Sequence, residues 1–251
     1  MPEGDAVLRT ARLLDRGISG RTLVRTDFRV PQHATADLSG GDVVATVARG
    51  KHLLTRIDHE SGRWTLHTHL KMDGVWRVLR PGQRWPKPGH LARVVLDAEG
   101  ATAVGFQLGV VELLPREREA ELLAHLGPDL LGADWDLDEA LRRLRAQPDR
   151  PVFEALRDQR NLAGIGTIYA AETQFLSGVH PLTPVGEVAD PRRLVARARE
   201  LLRAEWSTKG RMWVYGRRDC RRCGGTVERL MVGPPGQERP AYVCPACQPL
   251  P

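Results

Sequence analysis

The segment CRRCGGTVERLMVGPPGQERPAYVCPACQ constrains this chain more than any other. It holds all four cysteines, with Cys220 and Cys223 in one CxxC pair and Cys244 and Cys247 in a second. Two residues between cysteines let both thiolates turn toward one ion, and Gly224 and Gly225 relax the turn behind the first pair. The spacing fits one structural Zn2+ in a tetrahedron of four thiolates, which leaves no open position for a reactive water. Two disulfides are the other way to use four cysteines, and an intracellular setting speaks against them. TVERLMV and PAYV flank GPPGQE, a strand–turn–strand signal. The metal would therefore hold a hairpin, and any further chemistry would come from its other side chains, notably Arg239.

The rest of the chain reads as two differently patterned stretches. In Asp5 to Arg16, Val7, Ala11 and Leu14 fall at helical spacing, and Gly17 and Gly20 end the pattern. Short alternating runs follow (RTLVRTDFRV, DVVATVA, HLLTRID, WTLHTHL, GVWRVL, ARVVLD, TAVGF), punctuated by Gly, Pro and Asp as in a sandwich or barrel. RPGQRWPKPGH, residues 80–90, reads as an exposed loop. From about residue 115, REREAELLAHLGPDLL, DLDEALRRLRAQ and RPVFEALRDQR carry helical periodicity with charged outer faces. PRRLVARARELLRAEW follows, with Pro191 as a helix-starting residue. The expected fold class is α+β, in three parts: a β domain with a flanking helix over 1–114, a helical domain over 115–209, and the cysteine finger over 210–251.

Charge suggests a polyanion partner, although an arginine-rich composition also follows from genome base content. Lys and Arg number 37 against 31 Asp and Glu, a formal +6 that is almost all arginine. Asp5, Arg9, Arg12 and Asp15 interrupt any apolar run near the start, so no signal peptide is expected. No stretch approaches the ~18 consecutive apolar residues of a membrane span. Within RDQRNLAGIGTIYAAETQF, Gly164 and Gly166 bracket a turn between two helical stretches, and a helix N-terminus behind such a turn suits a phosphate. A dinucleotide fingerprint fails here, because no strand precedes the turn and the third glycine is missing.

Three features in fixed order carry a resemblance: PEG at the start, the helical GIG turn, and the C-terminal four-cysteine finger. ARGKHLL, HLKMDGVWR, LGPDLL, LAGIGTIYAAE and WVYGR extend it over the whole chain. Together they resemble the bacterial formamidopyrimidine-DNA glycosylase and endonuclease VIII family, and PEGD resembles the endonuclease VIII branch. The resemblance implies an N-terminal β-sandwich, a helix-two-turns-helix domain and a zinc-finger hairpin. It also implies a monomeric, nucleoid-associated cytoplasmic enzyme that removes oxidised bases, mainly pyrimidines, from damaged double-stranded DNA and then nicks the strand.

Carried over residue by residue, the resemblance makes Pro2 the nucleophile, once Met1 has been cut away, and Glu3 its acid/base partner. Lys51 matches the lysine of the family's GK motif and Arg239 the arginine on the finger hairpin. Met72, beside Lys71, matches the methionine that fills the space a flipped base leaves; Gly164, Gly166 and Thr167 form the phosphate-contacting turn. Taken singly, Lys51 reads as a turn lysine, Met72 as strand-end core and Glu3 as a helix-start acid; their joint occurrence at family positions favours function. This sequence also departs from the pattern. Thr167 stands where the family has asparagine, Phe153 where relatives often carry lysine, and Gln107 and Leu108 replace an Arg-Phe pair. EWSTKGRMWVYGRRDC is shorter than the usual segment before the finger. These departures motivate one rival, a zinc-finger protein that binds damaged DNA without cutting it.

Overall fold

The alternating runs fold as two antiparallel sheets in a computed structural model that describes residues 2–210 and 212–250, with backbone alone at 208 and 209. Met1 lies outside the described residues, as does Arg211 in the segment before the finger. The chain divides into two compact units, Met1–Ala124 and His125–Pro251. No helix among the described residues is long and apolar enough to cross a membrane.

The first unit opens with α1 (Gly4–Ile18). One sheet has the order β1 (Leu23–Phe28), β6 (Ala92–Ala98), β7 (Ala101–Phe106), β5 (Val75–Leu79). The other has the order β2 (Asp42–Arg49), β3 (His52–His59), β4 (Gly62–His69), β8 (Val110–Pro115). Val7, Ala11, Leu14 and Ile18 of α1 join Leu53, Ile57 and Leu66 of one sheet and Trp76, Val94 and Leu96 of the other in a single buried core. The 3.6-residue and two-residue periods therefore bury their apolar faces against each other, which makes this a sandwich with a flanking helix. β8 was absent from the sequence reading: VVELLP lacks clean alternation and runs straight into charged residues. The 80–90 loop is exposed along most of its length, but Trp85 anchors it edge-on to Phe106 at 5.8 Å.

The second unit is helical, with α2 (Glu119–Leu123) as a short turn ahead of it. REREAELLAHLGPDLL thus helicates far less than its periodicity suggests, because Gly127 and Pro128 serve another purpose described below. α3 (Leu137–Arg145) starts where Asp136 accepts the amides of Asp138 and Glu139. α4 (Val152–Arg157), α5 (Thr167–Ser177) and α6 (Pro191–Arg203) follow, with Pro191 opening α6 as expected. Phe153, Tyr169, Leu194 and Ala198 centre their core. The finger hairpin, β9 (Glu228–Val232) paired with β10 (Arg239–Val243), seats Val232 and Ala241 in that same core.

Candidate nucleic-acid and metal sites

In the first unit the candidate residues sit on turns held by rigid elements. Glu3 is the N-cap of α1, with extended backbone and 3% exposure, and its carbonyl accepts the Val7 amide at 3.1 Å. Its carboxylate makes no capping bond, and its place at the helix start is one the dipole favours for an acid. Half-buried Pro2 immediately precedes it. Lys51 lies in the two-residue turn between β2 and β3, where Arg49 pairs with His52 and Gly50 adopts φ 57°. The lysine is drawn inward to 7% exposure.

Met72 projects at 66% exposure, the opposite of a core residue. Its turn is tightly held. Lys71 adopts φ 51°, and its amide donates to Nδ1 of His69 at 2.9 Å. The Gly74 amide donates to the Leu70 carbonyl at 2.9 Å, and a Cβ on Gly109 would fall 2.2 Å from Cγ of Lys71. The lysine stem thus lies across a position that only glycine fits. Because Nδ1 of His69 is occupied as an acceptor, the neutral ring carries its proton on Nε2. Burial, then the cations of Lys71 and Lys51, push its pKa down to about 4. Leu108 is buried and Gln107 accepts from Nζ of Lys87 at 2.7 Å, so neither stands out as Met72 does.

In the second unit, residues 158–166 make two turns between α4 and α5. Gln159 staples them, accepting the Gly164 amide and donating to the Arg157 and Ile165 carbonyls. Nδ2 of Asn161 donates to the Ala155 carbonyl. The LGPDLL segment clamps the turns from outside: Gly127 donates to the Gln159 carbonyl, and Ala163 donates to that of Pro128. A Cβ on Gly127 would lie 2.5 Å from the Arg160 carbonyl. Gly164 takes φ 98°, Gly166 is the N-cap of α5, and Thr167 is its first residue. Phe153 is fully buried, with the Arg157 guanidinium 4.9 Å from its ring centroid. That position faces the core, not a phosphate.

Glu172 explains two motifs at once. Its buried carboxylate accepts the amides of Trp213, Val214 and Tyr215 at 2.8 to 3.0 Å. The acid of LAGIGTIYAAE therefore pins the backbone of WVYGR. Beyond it, the four cysteine ligand atoms lie within 4.8 Å of one another, with Sγ pairs at 3.5 Å (Cys223–Cys244) and 3.9 Å (Cys220–Cys247). Disulfide sulfurs would be ~2.0 Å apart. The observed spacing instead matches the edge of a zinc–thiolate tetrahedron, ~3.8 Å from a Zn–S distance of ~2.3 Å. The Arg222 and Gly225 amides donate to Cys220 and Cys223 at 3.4 Å, as knuckle backbones do. The Gly225 amide draws the Cys223 thiol down to about 7, whereas burial pushes that of Cys247 up to about 12. Four sulfurs this close ionise together only around a cation, so the donor set fits a soft divalent metal. Arg239 opens β10 beside the GPPGQE turn and is exposed.

The sequence reading missed His52, His67, His69 and Glu112, which the sandwich gathers on one sheet face. The signal was present in LHTHL, whose histidines stand two apart in a strand. It also missed Gln159, Asn161 and Glu172, which act on backbone groups and leave no pattern.

The formamidopyrimidine-DNA glycosylase N-terminal domain model matches residues 1–107. "Probable endonuclease 8 2" of Streptomyces coelicolor is 49% identical over 99% of this chain and 94% of its own length. "DNA-(apurinic or apyrimidinic site) lyase Nei2" of Mycolicibacterium smegmatis is 44% identical over 99% of both. A crystal structure of Lactococcus lactis formamidopyrimidine-DNA glycosylase bound to abasic-site DNA superposes with TM-score 0.83 at 21% identity, covering 99% of this chain and 100% of that one. With the fold, the motifs and the near-full-length identities in agreement, the chain belongs to the formamidopyrimidine-DNA glycosylase/endonuclease VIII family.

Proposed function

We propose that this protein is a bifunctional DNA glycosylase and abasic-site lyase of base-excision repair, acting on oxidised bases, mainly pyrimidines. The observation that carries the reading is its near-full-length identity to relatives named endonuclease 8 and abasic-site lyase, with Pro2 and Glu3 in place. DNA is the partner, bound as duplex; the four cysteines hold one structural Zn2+, which keeps the hairpin bearing Arg239 in shape.

The chemistry follows from the residue types. After Met1 is removed, Pro2 presents a secondary amine. Its lone pair attacks the sugar C1′ as the glycosidic bond breaks, and the base leaves with the pair of that bond. The nitrogen then gives up its proton and its pair forms C1′=N as the C1′–O4′ bond breaks, O4′ keeping that bond's pair and taking a proton, so the product is a ring-opened iminium. This cation is an electron sink. A C2′ proton departs, its bonding pair forms a C=C bond, and the 3′-phosphate leaves with the C–O pair. A second elimination expels the 5′-phosphate. An ordinary α-amino group has a pKa of ~7.7–8.0, so modest tuning keeps the attacking amine neutral. Buried Glu3 exchanges protons with the sugar and the leaving base. Lys51, Arg239 and the turn of Gly164, Gly166 and Thr167 hold phosphates, and Arg239 does so without acting as a base. Met72, beside Lys71, fills the space of the flipped nucleotide, for which its exposure suits it.

Borohydride trapping on an abasic-site duplex tests the reading, with Met1 removal confirmed by intact mass and Pro2→Gly as control. A crosslink at residue 2 is expected. Tight binding without a crosslink would leave the rival, a damage-binding protein that does not cut.

A further inference from the structure

One sheet face carries ionisable groups that the reaction above leaves unused. In register, His52 of β3 lies opposite His69 of β4, and His67 of β4 lies opposite Glu112 of β8. Nδ1 of His67 is 2.8 Å from Oε2 of Glu112, and its Nε2 is 2.8 Å from Nδ1 of His52. The His67 ring is buried and stacked on His52, with centroids 5.0 Å apart. The Glu112 carboxylate is half-exposed and lines a cavity of about 390 Å3 with His33, Arg118 and Glu121.

The proton positions follow from the partners. A carboxylate only accepts, so Nδ1 of His67 donates and its Nε2 holds the lone pair. Nδ1 of His52 then donates to that lone pair, which places the lone pair of His52 on Nε2. This is the logic of a hydrolytic triad, with a second imidazole where the hydroxyl would be. His69, edge-on to His52 at 5.5 Å, is wired the other way: its Nδ1 accepts, so its Nε2 donates. Two neighbouring imidazoles thus present opposite polarity.

We propose that Glu112 and His67 are positioning residues that make His52 a proton acceptor of the Lys51 site, an inference that rests on the lyase reading. Each elimination releases a carbon-bound proton, and Nε2 of His52 takes one of them, directly or through water. The resulting imidazolium keeps its Nδ1–H bond to His67. Glu112 offsets the charge through the shared ring without itself being protonated. The cations on the turn of His52 and the adjoining one are Arg49, opposite His52 on β2, Lys51 and Lys71, and like charges oppose protonation of an imidazole they face. Glu112 is the carboxylate that favours it.

The test uses the full-length, zinc-loaded protein with Met1 removed. Two-bond proton–nitrogen spectra of 15N-labelled histidines should show neutral His67 and His52 both protonated at Nδ1. In single-turnover cleavage of an abasic-site duplex, E112Q should move the acid limb to lower pH by about 0.5–1 unit, because it removes the charge that stabilises the imidazolium. H52N should lose the part of that limb which E112Q moves and keep the part set by the Pro2 amine. Rescue in E112Q above the limb, to within a few-fold of wild type, separates positioning from collapse of the fold. A His67 proton on Nε2, or an acid limb unmoved in both variants, overturns the relay. Should the wild type itself fail to cleave, the lyase reading falls instead, and the tautomer spectra still decide the relay because they need no turnover.

Discussion

The two units reach the same precision by different means. The first is held by apolar packing in two clusters, and its candidate residues ride on turns that the strands fix in register. The second shares its helical core with the finger and positions its candidate residues with polar staples. Glu172 gathers three amides, Gln159 ties both turns, and the finger waits on four sulfurs. Gln248, fully buried, accepts the Cys244 amide and donates to the Val179 carbonyl, joining finger to helix. Burial is non-directional and tolerates substitution, whereas a buried hydrogen bond that loses its partner leaves a stranded polar group. The second unit should therefore be the more brittle, although the proposed nucleophile belongs to the first.

The largest effect should come from the first unit. Retaining any residue ahead of Pro2 removes the secondary amine and should lower strand cleavage by at least ~10³-fold, the scale on which a lost nucleophile acts. Gel assay of cleavage beside fluorescence anisotropy should find duplex affinity nearly intact. Cleavage that survives with Met1 in place would transfer the chemistry to another residue. Next, stripping the metal with a strong chelator should weaken duplex binding by ~10²-fold or more and release the finger, since metal affinity is folding free energy in such modules. Hydrogen exchange should show the sandwich strands still protected. Loss of protection in both units together would erase the contrast.

Glu172→Ala comes third. It strands three backbone amides and should destabilise the second unit by about 3 kcal/mol, with Glu172→Gln recovering part of the loss. Thermal melts report the first number, and exchange at residues 213–215 locates it. Acidification should act on the units through different groups. His69 has a folded pKa of about 4, below its usual 6.5. Between those values the unfolded chain binds a proton that the folded chain refuses, so stability falls as pH drops through that window. Asp158 behaves otherwise: burial alone would raise its pKa, but Arg160 and Arg150 hold it well below the usual 3.8. Its contribution is present above 3.8 and is lost only as pH falls below that value. The sandwich should thus soften at pH 6 to 5, where buried His180 gives the second unit a slope of the same sign, and His69→Asn, which keeps an acceptor for the Lys71 amide, should flatten the sandwich's slope. The smallest effect belongs to Thr167→Asn, which restores the family's residue and should tighten duplex binding by only ~2–5-fold.

Sequence by itself made the finger, the sandwich and the α6 start legible, and the resemblance singled out Pro2, Glu3, Lys51, Met72 and Arg239 as candidates. Spacing, period and motif are local and written in order along the chain. Tertiary structure alone decided that LGPDLL clamps the two turns, that Glu172 serves WVYGR, that Phe153 turns inward while Met72 turns out, and that Glu112, His67 and His52 form a row. Each of these depends on which strands pair or which backbones approach across many residues. Pairing and approach are set by how distant apolar faces pack, and no local pattern records which polar group will meet which partner once they have packed.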